Sequence, residues 1–531
     1  MPNGYLSLVL HAHLPFVRHP EYESFLEENW LFEAISETYL PLLRRFNRLK
    51  QDGVPFRITL SVSPTLASML ADELLQNRYL AHLEGQLELA NKELLRTRDK
   101  PEFHGVVRMY KELFEKNYEE FVHLYKHNIL KGFKELEKSG HLELITTAAT
   151  HAFLPLLEEY PEAVEAQIHT AVINHGRIFG SAPKGFWLPE CGYYPGIEQN
   201  IKHYNLDYCF ASPHGILFSD QKSPYGIYAP MACPNGLQVF GRDIPSSRAV
   251  WSEEEGYPGD YSYREFYRDI GFDLPMDYIR PYIHDDDIRI YTGFKYYAIT
   301  GKTDQKRPYV PEVASDKARE HAENFLYNRK KQVKQLGPLM DRPPVIVCPY
   351  DAELFGHWWF EGPQWLESLI RQVAETEGEL AMVTPSDYLK EYPENPVGQP
   401  TFSSWGNKGY AEVWIDGTND WIYRHVHKAI ERMRDLVKRY PNESGLKLRV
   451  LNQAAREVLL TQASDWPFIM KTGTTVPYAE KRIKEHLYNF TRIYDNLCRN
   501  TVDTEWVTSI EKKNNVFQDI DYRIFKEIRP S

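Results

Sequence analysis

The chain has 531 residues, of which 42% are hydrophobic and 26% charged, a globular and soluble composition too long for one compact core. One large domain with one or two additions is expected. A net charge of −12 and a pI near 5.9 exclude a surface built for nucleic acid or anionic membrane. The five Cys form no CxxC pair, which fits a reducing compartment without a disulfide framework or a Cys-based zinc site. Met1-Pro2-Asn3-Gly4 lacks a basic leader, and no apolar run is long enough to span a bilayer, so a cytoplasmic protein is expected. Aromatics are the outlier at 14%, with 11 Trp and 35 Tyr. A large core accounts for part of that excess, and carbohydrate stacking would account for the rest.

In chain order, Tyr5 to Leu10 reads as a strand that stops at His11-Ala12-His13-Leu14-Pro15-Phe16. His11 and His13 alternate, so on an extended backbone both imidazoles face one side. Trp30 follows in a loop-to-helix segment, and Phe56 to Val62 is a second strand ending in Ser63-Pro64-Thr65. From about Leu74 to Ser139 the apolar residues recur at helical spacing, as in Phe114, Tyr118, Phe121 and Tyr125. The stretch is too long for one crossover helix, and a helical insertion over 74–139 is expected. Leu142 to Thr146 is a third strand and leads to His151. Gly185-Phe186-Trp187-Leu188-Pro189-Glu190 is a strand ending in a carboxylate. Tyr208 to Ala211, with His214 beyond it, and Gln238 to Gly241, ending at Arg242-Asp243, are the next two. A Gly- and acid-rich loop runs from Trp251 to Asp260, and Tyr263 to about Lys334 mixes helix with a hydrophilic excursion.

Val345-Ile346-Val347-Cys348-Pro349-Tyr350-Asp351 is a strand that ends in Asp351, with Glu353, Gly356, His357, Trp358 and Trp359 just beyond. Ala381 to Thr384 is a last strand or an edge. The composition shifts near Pro393 to Pro400; past a loop with Trp405 and Trp414, the segments Trp421–Arg439, Gly445–Ser464 and Glu480–Asn500 are helical. Strand, crossover, strand implies a parallel sheet, and this many units implies a closed or nearly closed barrel over 1–400, followed by a helical domain over 401–531.

Chemistry in such barrels sits at the C-terminal ends of the strands. Glu190 and Asp351 both lie there, and a pair of carboxylates about 5 Å apart is what retaining glycosidic chemistry needs. Burial against Trp358 and Trp359 would keep the acid protonated. Glu353 is a rival to Asp351 at this stage. A second reading takes His11-x-His13, His151, His214 and Asp351 as a metal-dependent deacetylase or amidohydrolase. A third treats all of these groups as hydrogen bonding at the barrel mouth.

Four motifs in order bear on that choice: His11-Ala12-His13-Leu14-Pro15, Trp187-Leu188-Pro189-Glu190-Cys191-Gly192-Tyr193, Tyr350-Asp351-Ala352-Glu353 through Trp359, and Ser464-Asp465-Trp466. Together they resemble glycoside hydrolase family 57, and within it the 1,4-α-glucan branching enzymes. The resemblance implies an α/β fold, an incomplete (β/α)7 barrel with a helical insertion and a helical C-terminal domain that completes the substrate cleft. It implies a retaining mechanism with no metal and no cofactor. Glu190 then matches the nucleophile and Asp351 the acid/base. His11, His13 and His151 match histidines of the donor subsite, and Arg242, Trp251, Gly259, Trp405, Trp414 and Asp465 match substrate-binding positions. The implied partner is an α-glucan such as amylose, glycogen or starch. Branching members often carry a long loop with a Tyr near its tip between the positions matching Glu190 and Arg242. Here that interval looks short, and its Tyr225 and Tyr228 sit in a Pro- and Gly-punctuated segment expected on the barrel body. A shortened lid admits water, so an α-amylase-like hydrolase on the same fold is the alternative expectation.

Overall fold

The computed structural model describes residues 2–252, 255–284 and 287–527. Its strands are β1 (Tyr5–Ala12), β2 (Ile58–Val62), β3 (Leu142–Thr147), β4 (Gly185–Trp187), β5 (Tyr208–Ala211), β6 (Met231–Ala232), β7 (Gln238–Gly241), β8 (Val345–Asp351) and β9 (Ala381–Met382). They join one sheet in the order β6-β7-β5-β4-β3-β2-β1-β8, with β9 beside β1. β1 to β5, β7 and β8 run parallel to their neighbours, and only β6 is antiparallel. The seven long-range parallel strands expected of the barrel are therefore present. β6 is two residues long, too short to leave a pattern in the sequence.

Every residue of β1 is buried, as are all of β8 before Asp351. Burial on both faces follows from helices covering the outside of a parallel sheet. The two-residue period of the strands sorts their side chains. Leu6, Leu8 and Leu10 pack outward into the main core. Tyr5 and Val9 of β1, with Val345 and Val347 of β8, face inward and meet Ile145, Trp187, Phe210 and Phe240 in a separate inner core. The same inner rows end in His11 and Asp351, which lie opposite each other in the β1–β8 register. The barrel interior is thus largely apolar, with Ser7, Thr59 and Glu143 buried among its inward rows, and its last rung carries His11 and Asp351.

The barrel does not close with a full ladder. β7 and β8 meet at one bridge, Arg242 to Val347, where the Asp243 N–H donates to the Val347 carbonyl at 2.9 Å. Val347 and Pro349 turn their backbone to the same side, and Pro349 has no N–H with which to continue the pairing. A proline is tolerated in β8 because that side is a strand edge.

The insertion folds as helices Glu73–Arg96, Pro101–Tyr118 and Leu130–Lys138. Asp72 caps the first, accepting the Leu75 N–H at 3.2 Å, and Pro101 opens the second. Within the segment expected to mix helix and loop, Pro311–Leu336 is one 26-residue helix. The C-terminal helices are Trp421–Arg439, Gly445–Thr461, Asp465–Thr472, Val476–Arg499 and Thr504–Lys513. The helix expected to reach Ser464 stops at Thr461. The chain leaves the helix there because Ala463 bridges Ala152 and the Ser464 N–H donates to the His151 carbonyl at 3.1 Å. Tertiary pairing overrides helix propensity at this point and brings Ser464 and Asp465 to the barrel mouth. Met1 and residues 253 and 254 of the acid-rich loop lie outside the described residues. No helix among the described residues is long and apolar enough to cross a membrane.

Candidate active site

Glu190 lies just beyond β4 in a short turn, Pro189–Cys191. Its φ is 61°, that of Cys191 is 50°, and that of His151, beyond β3, is 56°. Side chains other than glycine rarely sit in this left-handed region, and such strain clusters at functional sites. The surroundings fix the turn. The Trp405 N–H donates to the Glu190 carbonyl at 2.9 Å, and Cys191 and Gly192 close back onto Leu188 and Pro189. The carboxylate accepts from Trp405 Nε1–H at 2.7 Å on Oε2 and from Ser464 Oγ at 3.2 Å on Oε1. Burial pushes its pKa up to about 7. The Trp405 hydrogen bond pulls down against that, the Asp465 charge pushes up, and His13 and Ser464 pull down.

His11, His13 and His151 form a stack. The ring centroids of His13 and His151 are 4.0 Å apart, those of His11 and His151 4.9 Å, and His11 lies 4.7 Å from Trp187. His11 Nε2 and His151 Nε2 share a hydrogen bond of 2.9 Å. His11 Nδ1 meets Ser61 Oγ at 3.1 Å, and His151 Nδ1 meets Ser464 Oγ at 2.8 Å. Burial holds both rings well below the usual histidine range, with the neighbouring imidazoles adding to the effect, so both are neutral. His13 differs. Burial opposes its charge, but the Asp465 carboxylate, 3.1 Å from Nε2, together with Glu353 and Glu190, raises its pKa. Among the described residues no three His, Cys, Asp or Glu are grouped as a metal ion would need. His214 is elsewhere, with Nε2 2.6 Å from the Gly409 carbonyl.

Asp351 and Glu353 are separated by what they touch. Glu353 Oε1 accepts from the Tyr39 hydroxyl and from the His13 N–H, the latter at 3.2 Å. Among the described residues no hydrogen bond engages the Asp351 carboxyl, which leaves it available to a ligand. Burial, then the charges of Glu353 and Glu190, hold Asp351 well above the carboxylate range, with Arg242 opposing. Both strand-end carboxyls are thus pushed upward, Glu190 to about 7. Arg242 lies over the Trp405 ring, 5.5 Å from its centroid, and its Nε is buried without a partner.

The aromatic residues divide. Trp405 stacks edge-on between Trp187 at 5.1 Å and Trp251 at 6.4 Å, and Trp251 is 43% exposed. Gly259 closes the short helical turn Tyr257–Gly259 in the loop after Trp251. Trp414 offers no face to a ligand: it is buried, stacked 4.6 Å from Phe153, and lies behind Gly406, so it backs the segment that carries Trp405. The tryptophans after Asp351 do not provide its burial as expected. Trp359 turns into the core against Trp365 and Tyr263, and Trp358 is exposed and stacked 4.4 Å from Phe266. Two site residues were not foreseen. Tyr39 gave no signal in the sequence, and Ser464, quoted in the fourth motif and expected as the last residue of a helix, was assigned no role.

The model described as "Glycosyl hydrolase family 57" matches residues 7–399, and that described as "1,4-alpha-glucan branching enzyme, C-terminal" matches residues 425–525. A 1,4-alpha-glucan branching enzyme of Thermococcus kodakarensis is 32% identical over 97% of this chain and 78% of its own length. Among solved structures, the alpha-amylase AmyC from Thermotoga maritima superposes with a TM-score of 0.94 at 45% identity over 100% of both chains. The family 57-type branching enzyme from Pyrococcus horikoshii superposes with a TM-score of 0.89 at 32% identity, over 100% of this chain and 98% of that one.

Proposed function

The chain belongs to glycoside hydrolase family 57, and from that premise we propose that it cleaves α-1,4 bonds of an α-glucan with retention and passes the chain to a 6-hydroxyl, as a 1,4-α-glucan branching enzyme. The observation that carries the proposal is the division of labour between two strand-end carboxyls. Glu190 is braced by Trp405 and Ser464, with its pKa pushed up to about 7, whereas the Asp351 carboxyl makes no hydrogen bond among the described residues and burial raises its pKa well above the usual range, as an acid needs.

Glu190 attacks the anomeric carbon while Asp351 protonates the departing oxygen, and a glycosyl ester forms on Glu190. Asp351, now a carboxylate, takes the proton of the incoming hydroxyl and the ester breaks. A sugar 6-hydroxyl gives a branch, and water gives hydrolysis. His11, His13 and His151 line the donor sugar, with Asp465 holding His13 in place. Arg242, Trp251, Gly259 and Trp405 border the glucan path, and Trp414 supports it from behind. The barrel of 1–400, its insertion over 74–139 and the helical part of 401–531 act as one unit, because Ser464 and Asp465 reach the nucleophile and His13. Five unpaired cysteines, four of them buried, support a cytoplasmic role in storage-polymer synthesis.

One observation favours a second reading, α-amylase-like hydrolysis. Tyr225 donates to Asp341 at 2.8 Å and its ring lies by Arg342, while the Tyr228 carbonyl accepts the Val345 N–H. Both tyrosines are thus tied to the start of β8, at the end of the strand away from Asp351. Neither serves as a lid, and AmyC, which shares 45% identity with this chain, is an alpha-amylase. Amylose incubated with the purified protein decides between them when reducing ends and, after debranching, α-1,6 linkages are counted in one tube. The proposal expects α-1,6 linkages to accumulate beside a substantial rise in reducing ends. Reducing ends without branches would leave the hydrolase.

A further inference from the structure

We propose that Ser464 is a positioning residue that ends a directed hydrogen-bond chain, Ser61–His11–His151–Ser464, on the nucleophilic carboxylate of Glu190. The proposal rests on the reading of Glu190 as nucleophile.

The links are 3.1 Å from Ser61 Oγ to His11 Nδ1, 2.9 Å from His11 Nε2 to His151 Nε2, 2.8 Å from His151 Nδ1 to Ser464 Oγ, and 3.2 Å from Ser464 Oγ to Glu190 Oε1. His151 does not reach the carboxylate itself, since Nδ1 lies 3.8 Å from Oε1. The direction of the chain follows from its last acceptor. An ionised carboxylate only accepts, so the Ser464 hydroxyl donates to it and must accept from His151 Nδ1–H. His151 Nε2 is then bare and accepts from His11 Nε2–H, and His11 Nδ1 accepts from the Ser61 hydroxyl. One proton assignment satisfies every link, with both imidazoles neutral, as their burial requires.

Two further features show that the chain is built rather than incidental. Ser464 stands at the start of helix Asp465–Thr472, where a serine normally turns its oxygen to the helix's own N–H groups, and here it makes no such capping bond. Its hydroxyl goes to the site instead. His151 holds a left-handed backbone, φ 56°, and its carbonyl receives the Ser464 N–H, so the two residues are fixed to each other through main chain as well. Ser61, His11, His151 and Ser464 are all buried, which keeps water from replacing any link. The groups facing Glu190 are Trp405, Ser464, His13, His151, Asp465, Asp351 and the Cys191 thiol. Of the two hydrogen-bond donors to the carboxylate, only Ser464 relays the state of the histidine stack.

A donor to a carboxylate favours its ionised form. Removing the hydroxyl shifts the acid limb of kcat/KM upward by about one pH unit, the size of a lost hydrogen bond to a charged acceptor. The test measures that limb on a soluble maltooligosaccharide for wild type, Ser464→Ala, Ser464→Gly and Ser464→Thr. Glycine is a good helix-start residue, so the Gly variant carries the test if Ala does not fold. The limb is expected to move up in Ala and Gly and to return in Thr, which keeps the hydroxyl. A limb that stays in place in Ala and Gly overturns the proposal, whatever happens to kcat. A parallel Glu190→Gly variant supplied with azide separates the two readings. Formation of glycosyl azide of inverted configuration upholds Glu190 as nucleophile, so an unmoved limb then removes Ser464 alone. No azide product removes the nucleophile assignment and this proposal with it.

Discussion

At the scale of single residues, Glu190 accepts two hydrogen bonds and still has its pKa pushed up to about 7, because burial outweighs them. That imbalance has a stability consequence. In the unfolded chain the carboxyl ionises in the ordinary range, and in the folded one it holds its proton until about pH 7. Across that window the folded state binds the extra proton, so stability falls as pH rises, and the penalty is complete above the folded pKa. Glu190→Gln removes the buried charge and keeps the shape. It is expected to be inactive yet more stable than wild type at pH 8, by up to about 3 kcal/mol, with the gain shrinking toward pH 4. Melting temperatures of both proteins at pH 8 and 4.5 check this, and a glutamine variant less stable at pH 8 would contradict it. If Glu190 is the nucleophile, the same group is expected to set the acid side of kcat/KM in the wild type, with activity falling as pH drops below about 7.

At the scale of elements, the turn after β8 sets the far wall of the site. Gly356 has φ 117°, and a Cβ there would fall 1.8 Å from the Glu37 carbonyl oxygen. This close approach lets His357 Nδ1 meet Glu37 Oε2 at 2.8 Å and holds the helical segment that carries Tyr39 against Glu353. Gly356→Ala is expected to cost about 3 kcal/mol or more, read as a drop in the urea midpoint. A change within about 0.5 kcal/mol would show that the turn relaxes freely. The strands and their functional ends were legible because β-branched and aromatic runs stop at Glu190, Asp351 and His11, each at the C-terminal end of its strand. Other features were hidden for physical reasons. Trp358 and Trp359 are neighbours in sequence, but the turn sends them to opposite environments. Trp414 sits beside loop residues and is nonetheless core. Ser464 reads in the sequence as the end of a helix, and only the fold shows its hydroxyl turned to Glu190. Pro349, inside an otherwise regular strand, takes its meaning only from the fold, where it lies on the side of β8 that faces the barrel's seam.

At the scale of the whole molecule, the helical C-terminal part belongs to the site: Ser464 and Asp465 come from it, and the model of the branching-enzyme C-terminal region matches residues 425–525. With Tyr225 and Tyr228 tied to the base of β8, no tyrosine from that stretch covers the cleft. A longer Tyr-bearing loop grafted between β5 and β7 is expected to exclude more water and raise the ratio of branches to reducing ends several-fold. An unchanged ratio would place water control elsewhere. All of this depends on Glu190 forming a covalent ester that Asp351 later resolves. The most direct measurement is peptide mapping by mass spectrometry of Asp351→Asn after acid quench with α-maltosyl fluoride, whose leaving group needs no acid and whose ester this variant cannot readily hydrolyse. The account predicts one maltosyl unit on the peptide containing Glu190. An adduct on Glu353 or any other residue, or none at all, would contradict it.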